Sequence, residues 1–432
     1  MEGGSVYWSN WQGLSDVTSV MQTQRGMGAS KLSAPSVGGT INIVTRGIDA
    51  KKGGSLSYAL GNDGYNKVSF SVSTGMIKGW AITVMGSRTW GNGYIQGTGF
   101  EGYSYFANIS KRINENHQLS LTAFGAPQWH WTRPSGSHGA LSLEGWNKVA
   151  KYMPQGMDRR RYNPSYGLGP DGKQQGTNYN EYHKPQISLN HIWQIDDNSS
   201  LSTTAYVSIG RGGGGTAENG LNYAGAYSDM TYGATDGDPD AIKFRNKTTG
   251  MFDYQAIYDM NAASEYGSQL VKCLNRNDHN WVGVVSTYDK KFLDCLELTA
   301  GIDARFYQGI HKAVITDLMG GDYYVDATRE KVNAANNPNR NDPNWVYQKL
   351  GVGDVCYRDY TGTIVQEGVF ASLEYSKNNL SAFINGSLSF NHNWRTDRYY
   401  YNNVTARDSV VRASGTIKGG LNYKFAKWHN VF

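Results

Sequence analysis

Apolar and polar side chains take turns along most of this chain. Leu296, Leu298, Ala300, Ile302, Ala304 and Phe306 alternate with Glu297, Thr299, Gly301, Asp303 and Arg305. Leu201, Thr203, Ala205, Val207 and Ile209 alternate with Ser202, Thr204, Tyr206 and Ser208. Leu380, Ala382, Ile384, Gly386 and Leu388 alternate with Ser381, Phe383, Asn385 and Ser387. Val411, Ala413, Gly415, Ile417, Gly419 and Leu421 alternate with Arg412, Ser414, Thr416, Lys418 and Asn422. A period of two puts each set on one face of a strand, and a helix has no use for it. The chain is therefore all-β. A soluble sandwich and a membrane barrel both alternate, so the pattern leaves those two open.

The connections choose between them. Read from residue 55, the chain holds about twelve strands and the start of another. The first five cover residues 55–60, 66–74, 80–90, a stretch through 103–109, and 117–126, with Asn62-Asp63-Gly64 as a hairpin signal. Turns after even-numbered strands are short: 75–79, 113–116, 196–198, 290–293, 377–379 and 426–430. Connections after odd-numbered strands are mostly long: 91–99, 127–179, 212–279, 309–366 and 395–409. Long loops on one rim and tight turns on the other suit an outer-membrane barrel, and compact soluble domains rarely carry so many. Trp80 and Trp90 share a face with Ile82 and Val84 between them. That spacing spans about 25 Å on a tilted strand, the height of the apolar band between two aromatic girdles. Trp193, Trp281, Trp394 and Trp428 also fall near expected strand ends, while Arg88 breaks the apolar register near the outer rim. The predicted architecture is a transmembrane antiparallel β-barrel, and in lipid such a sheet must close on itself.

Composition agrees. Mean hydropathy is -0.55, and no apolar run approaches the roughly 18 residues of a membrane helix. Such a value suits a barrel, where only alternate residues meet lipid. Thirty tyrosines, 12 tryptophans and 53 glycines fit strands joined by many turns. A formal charge of +5 gives no argument for nucleic acid. Three cysteines, Cys273, Cys295 and Cys356, form neither a disulfide framework nor a zinc motif. Met1-Glu2-Gly3-Gly4 lacks the features of a secretory leader, and Trp428-His429-Asn430-Val431-Phe432 reads as a turn and a strand just begun. The expectation is a fragment.

Residues 19–47 are of a different kind. Two short strands, 20–24 and 39–45, flank a loop rich in Gly, Ser and Pro35. Arg25-Gly26, then Gly28, then Gly38-Gly39 leading to Ile41-Asn42-Ile43, form the motif. It resembles the last part of the plug domain of TonB-dependent outer-membrane receptors. Tyr7-Trp8-Ser9-Asn10-Trp11 ahead of it resembles the Bacteroides-type branch. The resemblance implies that residues 1–50 are the C-terminal part of a plug and 51–432 the N-terminal part of a barrel of about 22 strands. Glu297, Asp303, Arg305, Arg412 and Lys418 would then touch the plug or solvate the lumen. It also implies an active importer in the cell outer membrane. Its substrate would be an iron-siderophore, a cobalamin or an oligosaccharide. It would be driven by TonB-ExbB-ExbD through a segment preceding residue 1. Lipid and lipopolysaccharide would be partners, with a surface lipoprotein as a further candidate. A passive porin or adhesin would need no plug, and a soluble sandwich would need no detergent.

Catalytic chemistry is absent from the sequence. Gly26-Met27-Gly28 is followed by Lys31 and no βαβ unit, and Gly212–Gly215 lacks the Lys-Ser/Thr of a phosphate loop and reads as an external loop. No catalytic set, resident cofactor or metal site is read, so the chain is expected not to be an enzyme. Asp236, Asp238 and Asp240 open like a calcium loop, but Ala241 and Lys247 depart from it, leaving a solvated acidic turn as the other reading. Cys273 and Cys356 fall in expected external loops and are candidates to pair, whereas Cys295 lies near the periplasmic rim. Trp129, His130, Trp131 and Arg133 open the third external loop and suit either a ligand's rings or an interfacial girdle. Asp158-Arg159-Arg160-Arg161-Tyr162 would meet anionic ligands or lipopolysaccharide phosphates.

Overall fold

A computed structural model describes residues 8–25, 39–133, 143–153, 155–226, 229, 243–246, 248–404 and 409–431. After helical turns at Trp8–Trp11 and Leu14–Val17, β1 (Thr18–Arg25) and β2 (Gly39–Thr45) form a separate antiparallel hairpin. The large sheet begins with β3 (Gly53–Leu60), β4 (Asn66–Ser73), β5 (Trp80–Gly91), β6 (Phe100–Arg112), β7 (His117–Gly125) and β8 (Gln128–Trp131). Two two-residue strands, β9 (Gly167–Leu168) and β10 (Gln174–Gln175), lie in the loop that follows. The wall resumes with β11 (Tyr179–His183), β12 (Gln186–Asp196) and β13 (Ser199–Asn219); β14 (Phe252–Asp253) pairs with β9. It ends with β15 (Leu270–Phe292), β16 (Leu296–Asp317), β17 (Val355–Lys377), β18 (Leu380–Asp397), β19 (Val410–Ala426) and β20 (His429–Val431).

Every pair in the wall is antiparallel, and order in the sheet follows order in the chain from β3 to β20. Pro127 and Pro185 split two strands into β7/β8 and β11/β12, because proline brings no N–H to the ladder. Each split pair acts as one strand, so twelve strands precede the three-residue β20. That is the expected count.

The faces are inverted relative to a soluble protein. Ile302 is 55% exposed, Val369 52% and Ile384 51%, while Ser110, Thr83, Thr299 and Asn108 are at most 3% exposed. A sandwich would bury the first set between layers. Here the aliphatic side chains point outward, as lipid requires, and the polar ones line the concave side. The inward hydroxyls and amides satisfy one another across strands. Examples are Ser57 with Ser69 at 2.6 Å, Asn108 with Thr122 at 2.9 Å, and Thr204 with Asn190 at 2.8 Å.

One rim carries only tight connections, such as Asn378-Asn379 between β17 and β18. On the opposite rim, Asp63 and Gly64 (φ +58° and +68°) make the β3–β4 hairpin turn, closed by Tyr65 N donating to Asn62 O at 3.1 Å.

Four strands run much further than the alternation indicated. β13, β15, β16 and β17 have 21, 23, 22 and 23 residues. At a tilt of roughly 40° such a strand climbs about 55 Å, twice the apolar band. Above the band the outward positions turn polar, as at Arg211, Asn280 and Gln308, so the hydropathy signal stops while the backbone ladder continues. Three expectations are thereby corrected. Gly212–Gly215 is not a loop but part of β13, where a Cβ on Gly212 would lie 2.1 Å from Glu181 O and one on Gly213 2.3 Å from Asn275 O. Trp281 is not at a strand end but inside β15, facing inward. Cys273 and Cys356 lie in β15 and β17 rather than in loops.

Apolar cores lie where the upper loops pack on the tall strands. One joins Val149, Tyr162, Phe252, Tyr254, Ile257 and Leu270. Another joins Val271, Cys273, Ile315, Tyr324, Leu350 and Cys356.

Candidate functional site

The site is the lumen face of the wall and the segment docked on it. Lys67 on β4 points inward and grips Asp16 with both carboxylate oxygens, at 2.9 and 2.8 Å. The pair is half-buried. Val17 is fully buried against Met85 and Phe106, and the Trp11 ring sits 5.4 Å from Phe124. Gly13, at φ +87°, approaches so closely that a Cβ would fall 2.4 Å from the Ser104 Cβ. Segment 8–17 is thus held by a charge pair, an apolar socket and a close backbone approach, all on β4–β7. Arg46 N donates to Val17 O at 2.8 Å, which fixes the far end of the β1–β2 hairpin to the same anchor.

Beside this anchor a cavity of about 410 Å³ opens between Ser9, Asn10 and the wall residues His130, Asn180, Tyr182, Lys184 and Asn277. A second, of about 480 Å³, lies further round the wall, where Trp281, Arg305, Tyr307, Gln366, Asn391 and Arg412 converge. Arg305 Nε donates to Gln366 Oε1 at 2.8 Å, which aims the guanidinium along the wall. Amides, phenols, an indole and cations on one concave face are groups able to hydrogen-bond anionic or hydroxyl-rich solutes.

The structure does not bring together the four residues at the start of the third loop. Three of them lie on β8, whose pleat sends His130 into the first cavity and turns Trp129 and Trp131 to the opposite face, and Arg133 follows the strand's end. There the two indoles meet edge to face at 5.1 Å, with Tyr179 5.5 Å from Trp131. Arg133 donates long bonds to Arg160 O and Tyr162 O, at 3.4 and 3.5 Å. Of the hairpin motif, Arg25 pairs with Gly39, and Asn42 Nδ2 donates to Gln22 Oε1 at 3.2 Å. Gly26, Gly28 and Gly38 lie outside the described residues, as do Asp236, Asp238 and Asp240.

Two charged features find local partners. Arg88 on the lipid-facing register pairs with Glu101 at 2.8 Å and stacks over Trp90 at 4.7 Å. In the basic cluster, Asp158 takes Arg160 at 2.6 Å, and Arg161 reaches Asp63 at 2.5 Å. The side-chain and backbone hydrogen bonds from Arg160 pull Asp158 down to about 2, and the Arg161–Asp63 pair stitches the loop to the β3–β4 turn.

Sequence reasoning missed the buried carboxylate at the mouth. Asp326 is fully buried and accepts from Thr328 N at 2.9 Å, Thr328 Oγ1 at 2.6 Å, Tyr357 N at 2.7 Å and the Tyr399 hydroxyl at 2.7 Å. It joins the 318–354 connection to β17 and to the β18–β19 loop. Burial, with Asp326 nearby, pushes the Glu218 carboxyl up to about 8, against the opposing pull of Arg358. An Asp followed by Thr two residues on is an ordinary turn signal, and nothing in it announces a buried hub.

No family model and no curated protein matches the sequence. Solved structures do. The ferric-catecholate import receptor Fiu of E. coli K12, in its open form, matches with a TM-score of 0.58 and 10% identity over 96% of this chain and 58% of that one. The ferric citrate transporter FecA, unliganded, gives 0.57 and 11% over 96% of this chain and 48% of its own. The siderophore receptor PiuA from Acinetobacter baumannii gives 0.54 and 13%, over 95% and 52%. The chain spans about half the length of these structures, all of them receptors or transporters rather than enzymes. With its apolar-out antiparallel wall and a segment seated on the lumen side, this chain has the fold of the TonB-dependent outer-membrane receptors.

Proposed function

We propose that the chain is part of an active importer of the outer membrane, driven by the TonB-ExbB-ExbD complex. In this reading residues 1–50 are the end of the plug and residues 51–432 the first part of the barrel. The observation that carries it is the anchor of segment 8–17 on the lumen face through Asp16–Lys67 and Val17. A freely conducting pore would be obstructed by a segment fastened inside its lumen. Passage past such a segment requires work, and a barrel has no energy source of its own.

Iron chelates of the siderophore class are the first substrate to test, with cobalamins and oligosaccharides after them. Arg305, Arg412 and the surrounding amides suit an anionic, oxygen-rich chelate, and His130 and Lys184 line the cavity nearest the anchor. The outward aromatic and Arg88–Glu101 clusters belong to the lipid and lipopolysaccharide boundary. A surface lipoprotein would sit on the loop rim.

The test is uptake. Deleting the gene in its own bacterium is expected to abolish growth on one limiting chelate or cofactor, and deleting TonB to abolish the same uptake. Uptake that survives loss of TonB would make the protein a passive pore.

A further inference from the structure

Cys273 and Cys356 meet on the inner face of the wall above the apolar band. They are on β15 and β17, with β16 between them. Cys273 pairs with Ile315 and Cys356 with Ala313, so the two side chains lie diagonally across β16 from each other. Two features bring their sulfurs together. Ala313 carries only a methyl group, and β17 bulges at Tyr357-Arg358, where the register with β16 shifts and Tyr357 takes φ +28°. The result is a separation of 3.6 Å between the Sγ atoms, both residues being fully buried. Tyr324 and Leu350, from the 318–354 connection, close over them.

We propose that Cys273 and Cys356 form a disulfide that staples β15 to β17 and fixes the base of the 318–354 loop. Bonding brings the sulfurs closer by about 1.5 Å and, because β16 separates the two strands by roughly 9.5 Å at ordinary sheet spacing, also draws β17 inward at its bulge until the Cα atoms stand within about 7 Å. The proposal rests on the outer-membrane reading, since oxidising compartments are where such bonds persist. The oxidant is a protein disulfide of the thiol-exchange class. One cysteine thiolate attacks it and forms a mixed disulfide, releasing one oxidant thiol. The second cysteine thiolate attacks the protein-side sulfur, releasing the other. The two cysteine protons end on the two thiols released, so a disulfide is reduced as another forms.

Contact with Cys273 and burial both push the Cys356 thiol up, so thiol exchange is disfavoured once Tyr324 and Leu350 cover the sulfurs. Once covered, the bond is out of reach of small reductants. Cys295, in the turn Leu293–Cys295 on the other rim, has no such partner among the described residues and serves as the internal control.

The test is a differential thiol trap on the full-length protein in its membrane. Cells are quenched in acid and free thiols blocked with N-ethylmaleimide, and the protein is digested with trypsin without reduction. The expected product links the peptide of residues 273–276 to that of residues 350–358, while the 292–305 peptide carries maleimide on Cys295. Cys356→Ala is expected to abolish the link and leave the heat-dependent gel shift of the folded barrel intact. Maleimide on both Cys273 and Cys356 in protein recovered from the outer membrane would overturn the proposal. A second arm is independent of location: purified protein is refolded in detergent with oxidised and reduced glutathione. The intramolecular link is expected there too, and separate glutathione adducts on the two cysteines would count against it.

Discussion

Asp16 and Lys67 set what one residue contributes to the seated segment. The pair is half-buried, with side-chain exposures of 24% each. Asp16→Asn is expected to weaken the anchor by about 1 kcal/mol, a roughly fivefold rise in local opening. Hydrogen exchange at residues 14–17 reads this directly, and the swap Asp16→Lys with Lys67→Asp should restore protection. Glu218 gives a pH dependence. Its folded carboxyl is raised to about 8 from an ordinary 4.5, so its contribution is complete below the unfolded value and is lost as pH rises through about 8. The temperature at which the 318–354 loop becomes cleavable by protease should fall by about 5 °C between pH 5 and pH 9. Glu218→Gln should flatten that slope, and a slope unchanged in the variant would mean another group is responsible.

At the scale of the strand, two substitutions separate packing from lipid contact. A Cβ on Gly213 would press on the Asn275 backbone, so Gly213→Val should prevent the gel shift of the folded barrel. Gly53→Ala meets nothing within 4 Å and should leave it unchanged. Ile302→Arg, outward near mid-band, should cost about 2–4 kcal/mol of folding stability in vesicles, whereas inward Ser389→Arg should be tolerated. These strands were largely legible beforehand, because lipid on one side and a polar lumen on the other write a period of two into the sequence. Legibility failed where that contrast ends. Above the band both faces are polar or covered by loops, so β13 hid its glycines as a loop and β15 left Trp281 looking like a rim residue. The Trp129–Arg133 cluster left two readings open for a related reason: neighbours in sequence lie on opposite faces of a strand. Glu101, the partner that settles Arg88, sits across a strand pair and was invisible to a reading along the chain.

On the scale of the molecule, the wall, the seated segment and the upper loops divide the work. The wall's cohesion comes from its backbone ladder, since its aliphatic side chains face outward. Among the described residues, apolar side-chain cores hold the anchor and the upper loops against the tall strands. The four tall strands rise about 30 Å beyond the apolar band, and the Asp326 hub ties the loop between two of them to the wall. Where the ladder of these strands carries the described part of the mouth, its backbone is already ordered, so a solute held there would find that share of the entropy cost met when the protein folds.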